Sequence, residues 1–510
     1  MDLREVIASV PAVAVSGAGT GDVSGVTFNS AEVEAGSCFV AIPGRHTDGH
    51  QYIGDAVRRG AILVMGEQPP PADLPPDRTY VQVEDSRRQM GILAAAFHGK
   101  PSARMDIIGV TGTDGKTTTT NLIDAVLSAA GYRTGLMSTV DFKIGNDRRP
   151  NTSRFTTLEA PQVQEMLAEM VDAGVECAVV ETTSSGLALH RVSGVEYDVA
   201  VVTNITSEHL EVHGTLENYR RAKAMLCEAV DPDRKKPIAV PVTRACVLNA
   251  DDSSFEYLRG YCRAPILSYG IDRASDVHAE DVCLNADSTS FHVRLPDGQT
   301  HQIHTPLVAK YNVSNVLAAI SVGYLHGIDA SVMAQSLRIF GGVPGRMERI
   351  EAGQPFTVVV DYAHTADSLG KVLEVLRPLT TGRLIAVFGS AGDRDRVKRP
   401  QMGAVAARLA DFAVITDEDP REEDAQSILR EIATGAEAAG AVEGRDYICV
   451  VDRRQGIASA FERAEPGDVV LLAGKGHEQS IVIGREKLPW DDRVVAREEL
   501  ARLQARHAGT

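Results

Sequence analysis

Sulfur and aromatic side chains are scarce in this sequence, which has 7 cysteines, 1 tryptophan and 5% aromatic residues in 510 positions. Cys38, Cys177, Cys227, Cys246, Cys262, Cys283 and Cys449 are scattered and none forms a C-x-x-C pair. A disulfide framework is therefore not expected, a reducing cytoplasm is, and the cysteines read as small core or surface residues. No apolar run approaches the length of a membrane span, and Met1-Asp2-Leu3-Arg4-Glu5 lacks the basic-then-apolar pattern of a secretory signal. Positive charge is also in deficit: 52 Lys and Arg against 69 Asp and Glu leave a net charge of −17. Nucleic acid and anionic membrane would be repelled over most of such a surface, so an anionic ligand must meet local arginines and lysines. Internal repeats, heptads and low-complexity tracts are absent as well.

The chain is longer than one hydrophobic core supports, which predicts three domains. Glycine and proline clusters at Phe97-His98-Gly99-Lys100-Pro101-Ser102 and Phe340-Gly341-Gly342-Val343-Pro344-Gly345-Arg346 mark the expected linkers. The domains are then 1–98, 99–340 and 341–510. In the middle segment, helical stretches (Thr117–Ala130, Pro161–Ala173, Thr215–Val230) alternate with β-branched runs (Ala178–Val180, Val199–Val202), which predicts an α/β fold with a mostly parallel sheet. The last segment repeats the pattern, with strands at Phe356–Asp361, Leu384–Phe388, Phe412–Thr416, Tyr447–Val451 and Asp468–Ala473 and a helix at Gln401–Ala410.

Chemistry concentrates first in Gly112-Thr113-Asp114-Gly115-Lys116-Thr117-Thr118, between the apolar strand Met105–Val110 and a helix opening at Thr117. Glycines let backbone N–H groups close around phosphate oxygens, Lys116 neutralises the β- and γ-phosphates, and the Thr117 hydroxyl reaches a magnesium ion at the helix's positive end. The pattern departs from G-x-x-x-x-G-K-[ST], because Val110 occupies the first glycine position, with Gly109 and Gly112 beside it. A glycine-rich turn that binds nothing is the other reading. Three further groups follow predicted strands or lie on a helix: Glu181, His209 and Lys223. Each alone reads as a solvated or hydrogen-bonded side chain; together they suit a second charged site.

Over nearly its whole length the chain resembles the Mur ligases, in the branch that adds a third, diamino acid residue to UDP-N-acetylmuramoyl-dipeptide. The resemblance is carried by Asp48-Gly49-His50, Gly112–Thr118, Thr156-Thr157, Glu181–Gly186, Thr203-Asn204, His209-Leu210 and Ala222-Lys223. It continues through Asp361-Tyr362-Ala363-His364-Thr365, Gly392-Asp393-Arg394-Asp395, Lys398-Arg399-Pro400 and Gly474-Lys475-Gly476-His477-Glu478. It implies a UDP-binding N-terminal domain, a P-loop ATPase-like central domain and a Rossmann-like C-terminal domain. It also implies peptidoglycan synthesis through an acyl phosphate made with ATP, with two Mg²⁺ ions, in a cytoplasmic monomer. By the same resemblance Thr117 and Glu181 hold one metal, and Glu181, His209 and a carbamylated Lys223 serve the other. Asn312, Asn315, Arg346, Asp361 and His364 would contact the nucleotide, helix capping being the alternative for the two asparagines. Ser30, Thr156, Thr157, Thr183 and Arg191 would contact the UDP substrate, and Arg394, Asp419, Arg421, Gly474 and Glu478 the incoming amino acid. Gly341-Gly342 would be a hinge for closure.

The chain departs from the family at several of these positions. Asn29-Ser30-Ala31 stands where Asp-Ser-Arg is usual, and Ser185 where a histidine is usual. In the amino-acid pocket Glu418-Asp419-Pro420-Arg421 replaces Asp-Asn-Pro-Arg. The added carboxylate of Asp419 disfavours a distal carboxylate and favours a distal ammonium. That argues for L-lysine or L-ornithine over meso-diaminopimelate; the retained Arg421 argues the other way, unless it simply pairs with Asp419. A related amide ligase of the folylpolyglutamate type, or a nucleotide switch that makes no bond, are the competing readings.

Overall fold

The computed structural model describes every residue except 45–46, 154, 207–212, 286 and 509–510, and no side chain after Arg506. The chain forms two compact units that divide between Phe340 and Gly341, inside the second glycine cluster.

The first unit holds two sheets. The smaller has five strands in the order Ala14–Ser16, Thr79–Gln82, Leu63–Gly66, Cys38–Val40 and Val26–Thr27, parallel except for the first. Its apolar faces pack around Leu3, Val6, Met90 and Leu93 on one side and Phe39, Ile53 and Tyr80 on the other. The larger sheet has eleven strands. At its centre Val199–Val202, Asp106–Thr111, Cys177–Glu181 and Thr134–Met137 run parallel. These strands are fully buried and read as continuous apolar runs, as expected when helices cover both faces. Two antiparallel extensions, one made of the strands Val277–Leu284, Thr289–Arg294 and Thr300–Thr305 and one made of the strands Asp141–Ile144 and Asp147–Pro150, widen the sheet and were not expected from the sequence.

Two helices bring chemistry to this sheet. The helix Lys116–Ala129 buries Leu122, Ile123, Val126 and Leu127 on one face, although four consecutive threonines follow its opening Lys116. β-branched residues are poor helix formers in an interior, but here the Thr119 N–H already bonds the Gly115 carbonyl at 2.8 Å and the Thr120 hydroxyl donates to the Lys116 carbonyl at 2.7 Å. The helix Leu216–Ala229 is capped by the Thr215 side chain, which accepts from the Asn218 N–H at 3.1 Å. It buries Tyr219, Ala222, Lys223, Leu226 and Cys227, a stripe at helical spacing that includes a lysine.

At the opposite end of the central strands lies a buried ionic layer. Asp106 pairs with His326 at 2.8 Å, and Asp198 pairs with Lys236 and, at 2.9 Å, with Arg244. The carboxylates thereby meet cations away from water, as buried charges must.

The second unit carries a six-stranded sheet in the order Glu348–Ile350, Thr357–Asp361, Val469–Ala473, Leu384–Phe388, Phe412–Ile415 and Tyr447–Cys449, parallel except for the first strand. Helices Ala366–Leu376, Lys398–Leu409, Ala425–Ala438 and Arg453–Arg463 cover it. The expected strands are all present, with ends one or two residues shorter at Thr357, Ile415, Cys449 and Val469.

Candidate functional site

The glycine-rich turn leaves the strand Asp106–Thr111 at its C-terminal end and enters the helix Lys116–Ala129, where α/β sheets collect ligands. Gly112 and Gly115 adopt φ of +153° and +78°, which other residues rarely reach. A Cβ on Gly112 would stand 1.8 Å from Thr203 Oγ1, and one on Gly115 2.3 Å from Asn315 Oδ1. The turn is fixed from the neighbouring strand's end. Asn204 Oδ1 accepts from the Asp114 N–H at 2.9 Å, and the Thr203 hydroxyl donates to the Asp114 carbonyl at 2.6 Å. Lys116 Nζ donates to the Thr113 carbonyl at 2.6 Å, which folds the ammonium over the turn.

Glu181, the last residue of its strand, is 1% exposed, and its carboxylate is held by three groups. Thr117 Oγ1 donates to it at 2.9 Å, Thr139 N–H at 2.8 Å and Thr139 Oγ1 at 2.9 Å. Thr139 had no signal in the sequence. It acts here because the strand Thr134–Met137 lies beside Cys177–Glu181 in the sheet, a neighbour relation that only topology supplies. The oxygen set of Thr117 and Glu181 suits a hard cation such as Mg²⁺.

Lys223 is 1% exposed; its Nζ donates to the Gly112 carbonyl at 2.6 Å and lies 4.4 Å from the Tyr219 ring centre. Tyr219 in turn bonds Thr113 through its hydroxyl at 3.1 Å. The phosphate turn, Glu181 and Lys223 are therefore brought together as expected. His209 falls in 207–212 and lies outside the described residues.

A cavity of about 250 Å³ opens beside the turn, lined by Gly112, Lys116, Thr156, Thr157, Thr183 and Arg191 together with Phe155, Ser184, Ser185, His213, Tyr219 and Lys223. Thr157 Oγ1 donates to the Glu181 carbonyl at 3.0 Å and bonds Thr183 at 3.1 Å. Arg191 pairs with Glu159 at 2.8 Å, stacks 4.3 Å over Phe155 and keeps a buried Nε without a hydrogen-bond partner. Burial holds the Arg191 pKa below its usual value. His213 and Ser184, joined at 3.1 Å, were not singled out in the sequence. Ser30 is placed apart from this cavity. It opens the short turn Ser30–Glu32, beside a second cavity of about 440 Å³ lined by Val26, Phe28, Asn29, Glu32, Gln162 and Glu165.

The asparagines do not cap their helix. Lys310–Leu325 is capped by Ala309 with no side-chain bond, and Asn312 and Asn315 lie inside its first turns. Asn312 Nδ2 donates to the Val308 carbonyl at 2.7 Å. Asn315 Nδ2 donates to Asn312 Oδ1 at 3.0 Å, and Asn315 Oδ1 accepts from Thr119 at 3.2 Å. Asn315 thus fastens this helix to the phosphate turn.

In the second unit Arg346 stacks 4.6 Å over Tyr362, which also packs against His364 and His477. Asp361 ends its strand and accepts from the Met347 and Ala363 N–H groups, each at 2.8 Å. Burial raises its pKa, and burial drives His364 down to about 4, so the imidazole is neutral at neutral pH.

Around Gly474, Glu418 is buried with one carboxylate oxygen unpartnered, and burial raises its pKa and that of Glu478. Asp419 does not pair with Arg421. Its carboxylate accepts from Lys475 at 2.8 Å and from the Val482 N–H at 2.9 Å, and Lys475 also bonds Glu478 at 2.6 Å. The charge that the sequence assigned to Asp419 is therefore already met by a buried ammonium. Arg421 instead has φ +54° and a buried Nε without a partner. Arg394 is exposed on a loop anchored by Gly392 N–H to the Asp419 carbonyl at 2.8 Å and by Asp393 N–H to Glu423 at 2.6 Å. Glu423 is gripped in turn by the buried Arg399.

Three family models match the chain: "Mur ligase family, catalytic domain" at residues 22–98, "Mur ligase middle domain" at 110–323 and "Mur ligase, glutamate ligase domain" at 345–476. A UDP-N-acetylmuramyl-tripeptide synthetase of Roseiflexus sp. (strain RS-1) is 46% identical over 94% of this chain and 95% of its own length. A solved UDP-N-acetylmuramoyl-L-alanyl-D-glutamate–2,6-diaminopimelate ligase superposes with a TM-score of 0.66 at 29% identity, covering 95% of this chain and 96% of that one. The MurF ligase of Thermotoga maritima, solved in complex with ADP, shares the fold with a TM-score of 0.59 at 22% identity over 94% and 97% of the two chains.

Proposed function

The chain belongs to the Mur ligase family, and from that premise we propose that it joins a diamino acid to UDP-N-acetylmuramoyl-L-alanyl-D-glutamate, with conversion of ATP to ADP and phosphate. The observation that carries the reading is that Gly112 and Lys116 of the phosphate turn and the buried Lys223 line one cavity, with the Thr117–Glu181 pair joined to its wall through Thr157.

The substrate's terminal carboxylate oxygen attacks the γ-phosphorus, the bond to the β-phosphate oxygen breaks, and ADP leaves. The amine nitrogen then attacks the acyl carbon, the C–O bond to phosphate breaks, and the amine gives up a proton. Lys116 and the turn's N–H groups stabilise charge on the transferring phosphoryl group, since positioning and electrostatics supply most of this catalysis. Bound Mg²⁺ supplies further positive charge at the phosphates. Thr117 and Glu181 would hold one ion, and Glu181, His209 and Lys223 the other. Lys223 would take that role as a carbamate, because an ammonium repels a cation.

Residues 1–98, 99–340 and 341–510 are assigned to UDP-substrate, ATP and amino-acid binding. Ser30, Thr156, Thr157, Thr183 and Arg191 are assigned to the UDP substrate, and Gly112–Thr118, Asn312, Asn315, Arg346, Asp361 and His364 to the nucleotide. Arg394, Asp419, Arg421, Gly474 and Glu478 are assigned to the amino acid. Among the described residues no helix is long and apolar enough to cross a membrane; a cytoplasmic monomer is the proposed working form.

Hydroxylamine trapping tests the mechanism. With ATP, Mg²⁺ and the UDP-dipeptide but no amino acid, a hydroxamate of the acceptor is expected; ADP formed without it contradicts the acyl phosphate. For Lys223, the Lys223→Ala variant is expected to lose turnover and to recover part of it with a short carboxylic acid. Absence of any recovery removes the carbamate role.

A further inference from the structure

Three cysteines that the ligase reaction does not use converge in the first unit. Cys227 lies on the helix Leu216–Ala229, Cys246 on the strand Ala245–Asn249, and Cys262 in the turn after the helix Phe255–Arg259. Their sulfur atoms all lie within 4.8 Å of one another, and none is in a disulfide. Cys227 and Cys246 are fully buried, whereas Cys262 is half-buried and connects the cluster to solvent. Cys246 Sγ donates to the Cys227 carbonyl at 3.7 Å, and Cys262 Sγ to the Leu258 carbonyl at 3.4 Å.

We propose that Cys227, Cys246 and Cys262 form a thiolate site for one soft divalent d¹⁰ cation, zinc, with solvent on the Cys262 side completing a tetrahedral shell.

The geometry fits that ion. At a Zn–S bond of about 2.3 Å, three sulfurs on one tetrahedral ion stand about 3.8 Å apart. Sulfurs already within 4.8 Å therefore need to close by no more than about 1 Å. The donor set is all sulfur, which selects thiophilic d¹⁰ ions over Mg²⁺ and so separates this site from the Thr117–Glu181 oxygens. Arg221, stacked 4.9 Å over Tyr261, places a positive charge beside the turn that carries Cys262.

A second group of close-set donors, Asp106, Cys177 and His326, shows what an unsuitable cluster looks like. Both ring nitrogens of His326 are already engaged, by the Val322 carbonyl at 2.7 Å and by Asp106 at 2.8 Å, and all three residues are buried. In the cysteine cluster each sulfur makes at most weak bonds to give up. A bound ion would tie the Lys223 helix, one turn beyond Lys223, to the strand beside Val199–Val202 and to the following turn.

The test uses the full chain, reduced and stripped of metal, titrated with Cd²⁺ as the spectroscopic stand-in for zinc. A thiolate-to-cadmium charge-transfer band that saturates at a single equivalent and is displaced by Zn²⁺ is expected. Cys262→Ser should weaken binding at least tenfold, while Cys449→Ser should leave the titration unchanged. Alkylation of the unsubstituted chain reads the same contact without a variant: Zn²⁺ should slow modification of Cys262 at least tenfold and leave the exposed Cys283 unaffected. No band, a band that persists in Cys262→Ser, or equal alkylation of Cys262 with and without Zn²⁺ would overturn the site.

Discussion

At the scale of single residues, the phosphate turn is the tightest part of the candidate site. Gly112→Ala places a methyl group 1.8 Å from Thr203 Oγ1 at a φ that alanine disfavours. The variant is expected to lose acceptor-dependent ADP formation and to unfold at lower temperature; unchanged turnover would show that the turn is looser than its contacts imply. Lys116→Met removes the charge aimed at the transferring phosphate and should lower turnover by about two to three orders of magnitude with the fold intact, checked by steady-state kinetics and circular dichroism.

His364 carries a pH signature. Its folded pKa of about 4 lies below the ordinary 6.5 because of burial. Above about 6.5 it is neutral in both states and contributes nothing to the pH dependence. Between about 6.5 and 4 the unfolded chain binds a proton that the folded chain refuses, so stability falls as pH falls. Asp417, raised by burial to about 6, acts oppositely in nearly the same interval, gaining stability as pH falls. His364→Gln should therefore retain more of its neutral-pH unfolding temperature at pH 5 than the unsubstituted chain does. An identical pH profile in the two proteins would contradict the assignment.

At the scale of elements, the phosphate turn and its strand–turn–helix setting were legible in the sequence because glycine, lysine and threonine in that order have few other uses. The burial of Lys223 was legible in principle, since Tyr219, Ala222, Leu226 and Cys227 repeat at helical spacing around it. Thr139 was not, because its role depends on which strand neighbours Cys177–Glu181, and strand order is a long-range property. The same limit hid the Lys475–Asp419 pair: 56 positions separate the partners, and local reading set Asp419 against Arg421 instead. The antiparallel strands Val277–Leu284 and Thr300–Thr305 were missed for a different reason, their largely polar sequences giving a weak alternation. The Thr215 cap is testable on its own. Thr215→Ala leaves the Asn218 N–H without its side-chain acceptor and should cost about 1 kcal/mol by denaturant unfolding.

At the scale of the whole molecule, the separate cores of the two units predict separable stability. Asp198 meets Lys236 and Arg244 with all of its carboxylate buried. Asp198→Ala strands two cations and should destabilise the first unit by about 3–5 kcal/mol. Hydrogen exchange read by mass spectrometry should show lost protection in 106–111 and 199–202 and unchanged protection in 384–388. Equal loss in both units would mean that they unfold together.

The most direct measurement is ADP formation from ATP and Mg²⁺ with UDP-N-acetylmuramoyl-L-alanyl-D-glutamate and, in turn, meso-diaminopimelate, L-lysine and L-ornithine, with the product weighed by mass spectrometry. Turnover that requires both the acceptor and one of these diamino acids, and yields their amide, is the predicted result. Preference for meso-diaminopimelate would assign the unpartnered Arg421 to its distal carboxylate, and preference for a distal ammonium would assign that pocket to Glu418 and Glu478. ADP formation that ignores the acceptor, or no amide with any of the three, would contradict the ligase assignment.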